Sequence, residues 1–162
     1  MATIRVGMGY DAHRLTAERP LMLGGVEIPY TQGLAGHSDA DVLIHAVGDA
    51  LLGAVAAGDL GRHFPDTDPA YKGISSLILL ERIVAVVHER GYRVGNVDAT
   101  IVAQAPKLAP HIPQMISRLA SVLRIQPAEL NIKATTTEDM GFTGRREGIA
   151  AYAVVLVEKL LP

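Results

Sequence analysis

The 162-residue sequence contains no cysteine and no tryptophan. Without thiols it has no disulfides, no thiolate nucleophile and no cysteine-based zinc site, which leaves Asp, Glu and His as its only strong metal ligands. Aromatic residues are few, five Tyr and two Phe, so the core has to be aliphatic, built from Ala, Val, Leu and Ile. Charge of neither sign is in large excess. A formal net charge of -2 excludes a nucleic-acid binder held by a broad basic surface, so an anionic ligand has to be gripped locally. No apolar run reaches the roughly 18 residues of a membrane span. The N-terminus enters Thr3-Ile4-Arg5-Val6 with neither a basic-then-apolar leader nor an Arg/Ser-rich transit segment, and the expectation is a soluble, cytoplasmic chain with no membrane partner. There is no P-loop and no Ser elbow, and Gly7-x-Gly9 lacks the third glycine and following helix of a dinucleotide fingerprint.

What is present is regular patterning over a length that suits one domain, residues 1–162, able to bury roughly 70% of the surface of its unfolded form. Strands are predicted over 3–13, 21–23 and 26–28, punctuated by Pro20, Gly24, Gly25 and Pro29. From Ser38 the period becomes helical: Val42, Ala46, Val47, Ala50, Leu51 and Ala54 recur at steps of three and four until Gly58, with Ser38 and Asp41 as a capping-box-like start. The Gly-, Pro- and Asp-dense stretch 58–69 reads as an ordered loop. A second helix runs from near Ser75 to a stop at Gly91, and a third follows Ile112, Met115, Ile116, Leu119 and Leu123. Strands at 94–103, 131–136 and 149–158 complete an α/β domain predicted to pack its helices on one face of a mixed sheet.

A strand period of two puts Asp11 and His13 on one face, and Asp41, His45 and Asp49 follow at helical steps of four. Asp11, His13 and His45 would make a three-ligand site with an open fourth position, as catalytic zinc usually has. Asp49, one turn after His45, is expected to accept the second N–H of that imidazole. The same spacings also suit ordinary strand-end residues and a solvated helix stripe. His88 and His111 read as non-ligands, and so does His63, less decisively because it stands in the acidic loop. Asp59, Asp66 and Asp68 are suited to capping turns or to holding a cation. Thr135, Thr136 and Thr137 offer hydroxyls and amides to phosphate oxygens beside the Glu138 carboxylate, although a Thr run is also what a plain strand prefers. The residues by themselves lead to a metal-assisted enzyme, or a metal-binding protein, acting on a phosphorylated small molecule.

Five segments resemble one family, the 2-C-methyl-D-erythritol 2,4-cyclodiphosphate synthases of the non-mevalonate isoprenoid pathway. They are Gly9-Tyr10-Asp11-Ala12-His13; His37-Ser38-Asp39-Ala40-Asp41 running on through His45-Ala46; Gly58-Asp59-Leu60-Gly61 with Phe64-Pro65-Asp66-Thr67-Asp68; Ala103-Gln104-Ala105-Pro106-Lys107; and Lys133-Ala134-Thr135-Thr136-Thr137-Glu138 with Gly141-Phe142-Thr143-Gly144-Arg145. They stand in the family's order over nearly the whole chain.

The resemblance implies zinc on Asp11, His13 and His45, and a second cation, magnesium or manganese, on Glu138. It implies that Asp11, His13, His37 and Ser38 contact the substrate, with His37 and Thr136 stabilising the transition state. Asp59, Leu60 and Gly61 would meet the ribose, and Phe64, Pro65, Asp66, Thr67 and Asp68 the erythritol phosphate side. Ala103, Gln104, Ala105, Pro106, Lys107, Leu108 and Ala109 would meet the cytosine, Thr135, Thr136, Thr137 and Glu138 the diphosphate, with Phe142 and Arg145 completing the substrate-binding set. The family further implies a homotrimer whose sheets face the threefold axis, active sites at the subunit junctions, and a central channel near Arg145 and Arg146 that takes an isoprenoid diphosphate. Arg146, where the family often has a small residue, and His63, where an aliphatic one is common, are departures. The implied reaction is attack of a substrate's own 2-phosphate on its β-phosphorus with loss of CMP; the rival readings are a non-catalytic metal-binding or isoprenoid-sensing module and a metal-dependent phosphohydrolase.

Overall fold

Alternation along the first and last strands decides which face of the sheet is covered. In the computed structural model, which describes residues 3–161, β1 (Ile4–Thr16) turns Gly7, Gly9, Asp11, His13 and Leu15 to one side and Ile4, Val6, Met8 and Tyr10 to the other. Two short strands, β2 (Leu21–Leu23) and β3 (Val26–Ile28), form a separate hairpin, and β4 (Gly33–Leu34) pairs with the end of β1. β5 (Tyr92–Val102) and β6 (Leu130–Thr135) are parallel, while β7 (Gly148–Lys159) runs antiparallel between β1 and β5. The main sheet is therefore mixed, in the order β4-β1-β7-β5-β6.

Three main helices cover the side to which Gly7, Gly9, Asp11 and His13 point. α1 (Val42–Ala54) lies on β1 and β7, α3 (Ser76–Glu89) packs against α1 and β5, and α4 (Ile112–Leu123) packs against α3 and β6. This is the predicted arrangement, helices on one face of a mixed sheet. The core is aliphatic, with Leu43, Ile44, Leu51, Leu52, Leu80, Ile83 and Ile101 among its largest fully buried side chains. The opposite face keeps large apolar side chains in the open: Val6 is 63% and Met8 65% exposed, with Ile4, Tyr10, Tyr152 and Val154 beside them. No helix among the described residues is long and apolar enough to cross a membrane.

The close seating of α1 explains the glycines of β1. A Cβ on Gly7 would come within 1.9 Å of the Ala50 carbonyl oxygen, and one on Gly9 within 1.9 Å of that of Ala46. Gly7-x-Gly9 is thus a packing device that lets helix backbone rest on strand backbone. His45 precedes Ala46, so the contact that requires Gly9 also brings His45 down beside Asp11 and His13.

Several element boundaries differ from expectation. β1 runs three residues beyond position 13, to Thr16. α1 begins at Val42 rather than near Ser38, because Asp41 is its cap: Asp41 Oδ1 accepts from the amides of Ile44 (3.2 Å) and Gly24 (3.0 Å), and Oδ2 from Gly25 (2.7 Å). Asp41 is fully buried, tying α1 to the β2–β3 turn, and so does not belong to a solvated helix stripe. Burial pushes its carboxyl up to about 6, against the pull of those amides. The loop at 58–69 contains a short helix, α2 (Leu60–His63), and leads into a 3-10 turn at Pro69–Tyr71; a further short helix, α5 (Gly141–Gly144), occupies the expected turn before β7.

Candidate active site

At the end of β1, two strand positions apart, Asp11 and His13 meet His45 from the first turn of α1. Asp11 Oδ2 lies 2.8 Å from His13 Nε2 and 3.1 Å from His45 Nδ1, and the two nitrogens are 3.2 Å apart. These three are the one cluster of potential metal-ligating side chains among the described residues. The ring atoms turned away from the cluster are also engaged. His13 Nδ1 donates to the Ala35 carbonyl at 2.6 Å, so that in the neutral ring the lone pair lies on Nε2, and His45 Nε2 faces Ser76 Oγ at 3.0 Å and Ser38 Oγ at 3.2 Å. One carboxylate oxygen and two imidazole nitrogens, each ring braced from behind, are a donor set that fits a divalent metal ion.

The electrostatics of the cluster are those of an ion pair. Burial favours a neutral Asp11, but hydrogen bonds and charge from His13 and His45 outweigh it and hold the carboxyl well below the usual carboxylate range. Burial likewise opposes a charge on His13, yet the Asp11 carboxylate and the Ala35 carbonyl prevail and raise its pKa above the ordinary 6.5.

Asp49 is not the partner of His45. Its Oδ1 accepts from the Leu60 amide at 2.7 Å, so the helical step of four carries this carboxylate toward α2 instead. There it fixes the start of the segment Asp59-Leu60-Gly61, which Asp59 caps by accepting from the Arg62 amide at 3.0 Å. The residues that do face His45 Nε2 are Ser76, outside every quoted motif, and Ser38. His63 Nε2 faces the Ala57 carbonyl at 2.8 Å, away from the cluster.

The cluster opens on a cavity of about 430 Å³ lined by His13, His37, Ser38 and His45 on one side and Leu60, Gly61, Phe64, Pro65 and Asp66 on the other. His37 Nε2 donates to the Asp68 carbonyl at 3.1 Å, and the Asp68 side chain caps the following turn through the Ala70 amide at 2.9 Å. Arg19, unremarked in the sequence, clamps this wall: its guanidinium donates to the carbonyls of Gly36 (2.6 Å) and Ser38 (2.7 Å), on either side of His37. Thr67 lies in the same loop but does not line the cavity.

The remaining predicted residues gather elsewhere. A second cavity of about 480 Å³ is lined by Ala103, Gln104, Pro106, Lys107, Leu108 and Ala109 together with Thr135 and Thr136, with Ala105 in the same loop. Thr136 Oγ1 donates to Glu138 Oε1 at 2.9 Å, and Gln104 Oε1 accepts from the Asp139 amide at 3.3 Å, joining the two halves of that wall. Thr137 and Phe142 line a third hollow on the uncovered face of the sheet, beside Tyr10 and Tyr152. Arg145 is paired with Glu147 on the surface, Nε to Oε1 2.9 Å. The first two cavities share no lining residue. From β1 to β6 the sheet takes three strand steps, about 14 Å at the usual spacing.

Known proteins match both the sequence and the fold. A 2-C-methyl-D-erythritol 2,4-cyclodiphosphate synthase of Thioalkalivibrio sulfidiphilus is 63% identical over 158 residues, 98% of this chain and 99% of the relative. The bifunctional IspDF from Campylobacter jejuni superposes with a TM-score of 0.95 at 42% identity, covering 99% of this chain, which spans only 43% of that longer one. A 2C-methyl-D-erythritol-2,4-cyclodiphosphate synthase in a form bound to CDP gives a TM-score of 0.87 at 36% identity, over 94% of this chain and 99% of that one. The sequence profile of the YgbB family matches residues 4–158, and with relatives this similar along their full length the chain belongs to that family, among the 2-C-methyl-D-erythritol 2,4-cyclodiphosphate synthases.

Proposed function

We infer that the chain converts 4-diphosphocytidyl-2-C-methyl-D-erythritol 2-phosphate to 2-C-methyl-D-erythritol 2,4-cyclodiphosphate and CMP, a step of isoprenoid-precursor synthesis. The observation that carries the reading is the Asp11, His13 and His45 triad, opening on a cavity in a chain this similar to such synthases along its whole length. An oxygen of the substrate's 2-phosphate forms the new bond to the β-phosphorus, and the bond from that phosphorus to the bridging oxygen breaks, CMP leaving with the electron pair. A phosphate monoester with a second pKa of about 6 is already largely dianionic at neutral pH, so no protein base is needed. The work left to the protein is to position the two phosphates and balance their charge.

Asp11, His13 and His45 would hold zinc, and Glu138 a magnesium or manganese ion, which supply Lewis-acid neutralisation of the phosphate oxygens. His37 and Ser38, on the segment clamped by Arg19, hold the reacting phosphates at the first cavity, with Leu60, Gly61 and the 64–68 segment around the sugars. The 103–109 loop takes the cytosine, and Thr136 meets the diphosphate. Because the two cavities lie toward different edges of one sheet, and because an apolar sheet face is uncovered, the working form is a homotrimer that sets the metal half of one chain beside the nucleotide half of the next. Incubation of the zinc- and magnesium-supplemented protein with the substrate, followed by phosphorus NMR, should show CMP and the cyclic diphosphate growing together. Release of inorganic phosphate instead would make it a phosphohydrolase, and absence of any product at every metal concentration would leave a binding module.

A further inference from the structure

His45 has two ring nitrogens, and only one of them points at Asp11 and His13. That atom is Nδ1, 3.1 Å from Asp11 Oδ2. It can serve a cation only if the ring proton resides on Nε2, and a neutral imidazole has no intrinsic means of guaranteeing this. In the metal-free protein the Asp11 carboxylate facing Nδ1 draws the proton the other way, so the opposing pull has to come from whatever faces Nε2.

The group there is Ser76 Oγ, at 3.0 Å and fully buried. A hydroxyl by itself does not settle the matter, since it donates as readily as it accepts. The Ser76 proton is already committed, however: it is donated to Asp39 Oδ1, in the shortest side-chain hydrogen bond of the site. Asp39 is in turn held by three backbone bonds. Its Oδ2 accepts from the Ser76 amide at 3.1 Å, its Oδ1 from the Asp41 amide at 3.2 Å, and its own amide donates to the Ile74 carbonyl at 3.0 Å. A carboxylate only accepts, so Ser76 presents lone pairs to His45. Ser38 Oγ, 3.2 Å from Nε2, has its own outlet at Ser76 Oγ, 3.4 Å away.

We propose that Asp39, acting through Ser76, is a positioning residue that fixes the proton of His45 on Nε2 and so selects Nδ1 as the atom offered to the metal. The chain of three groups runs from the loop before α1, through the first residue of α3, to the first turn of α1. Asp39 and Ser76 touch neither metal nor substrate in this role; their effect passes through one ring. The proposal rests on the zinc reading of the triad.

The test uses the full-length chain and two readouts, zinc affinity by competition with a chromophoric chelator, and the two-bond ¹H–¹⁵N correlations of His45, which report the protonated nitrogen. The zinc-bound wild type should show the proton on Nε2, and the metal-free wild type should hold more of that form than either alanine variant. Ser76→Ala and Asp39→Ala should each weaken zinc binding by about 10-fold to 100-fold, the range for lost outer partners of metal ligands. Both should populate the Nδ1–H form in the metal-free protein. Asp39→Asn, which keeps the shape and one acceptor, should fall between them and the wild type, and it carries the test if the buried Ser76→Ala variant fails to fold. Unchanged zinc affinity overturns the assignment, and so does weakened affinity with the proton still wholly on Nε2, which would make the pair simple packing. A wild type that retains no zinc through gel filtration would overturn the triad reading itself, whereas tight wild-type binding with indifferent variants overturns only the roles of Asp39 and Ser76.

Discussion

At His13, burial and a neighbouring carboxylate pull in opposite directions and the carboxylate wins, so the ring binds its proton more tightly than an exposed imidazole. Two pH trends of opposite sign follow for the same residue. In the metal-free protein the raised pKa contributes stability that is fully present below pH 6.5 and is lost as the pH rises through the folded value. Asp11, depressed instead, contributes stability present above its unfolded pKa and lost as the pH falls through its folded one. Metal binding must expel the His13 proton, so zinc affinity should rise by about tenfold per pH unit up to a plateau that begins above pH 6.5. Chelator competition from pH 5.5 to 8.5 would show it; a flat profile would mean that His13 is not a ligand. Asp11 and His13 were legible as a pair because a strand period is a rigid ruler, whereas spacing left their union with His45 open and the family resemblance supplied it. Asp39 and Ser76 were not legible as a pair, lying 37 residues apart and joined only by the fold. Asp49 shows the limit of the ruler: a step of four places a side chain near a neighbour but does not choose its partner, and here the partner is the Leu60 amide.

Among elements, the pairing of α1 with β1 governs the site. Gly9→Ala would set a methyl 1.9 Å from the Ala46 carbonyl oxygen, and since the obstacle is backbone no rotamer can relieve it. The helix must retreat, carrying His45 with it. The variant should lose about 1–3 kcal/mol of stability, the usual range for overpacking, and should bind zinc more weakly than the wild type. Urea unfolding of the metal-free protein beside chelator competition checks both, and a variant destabilised but with unaltered zinc affinity would separate the packing from the metal site. Long elements were readable from periodicity, and α3 and α4 lie where their apolar steps put them. The start of α1 was misread because Ser38 and Asp41 both suit a cap, and only Asp41 meets the Gly24 and Gly25 amides that complete its partners. β4 and α5, two and four residues long, carry too few residues to display any period.

At the scale of the whole molecule, the metal cavity and the 103–109 cavity belong to different parts of one sheet. If junctions between chains complete the site, two inactive proteins should restore each other. Asp11→Asn and Thr136→Val chains, unfolded together and refolded in equal amounts, should recover about a quarter of wild-type activity, because one junction in four then joins an intact metal half to an intact nucleotide half. Activity near zero in refolded, zinc-loaded assemblies would mean that each site is built within one chain. The residue types of both halves, and through the resemblance a site at the subunit junction, were legible in the sequence, but the strand order that sets the two cavities apart was not, since no local pattern encodes that β7 inserts between β1 and β5.

The uncovered side of the sheet, where Val6, Met8, Tyr10, Tyr152 and Val154 stand open, also bears on how the protein is made. If other copies of the chain cover that apolar surface, a newly synthesised chain displays it from the moment its sheet forms until they arrive, and any exposed strand or half-folded neighbour competes for it. In that case correct pairing depends on folded copies meeting each other first. Rapid overproduction raises the supply of half-folded chains faster than that of finished ones, so a cooler, slower culture should yield proportionally more protein in the soluble fraction.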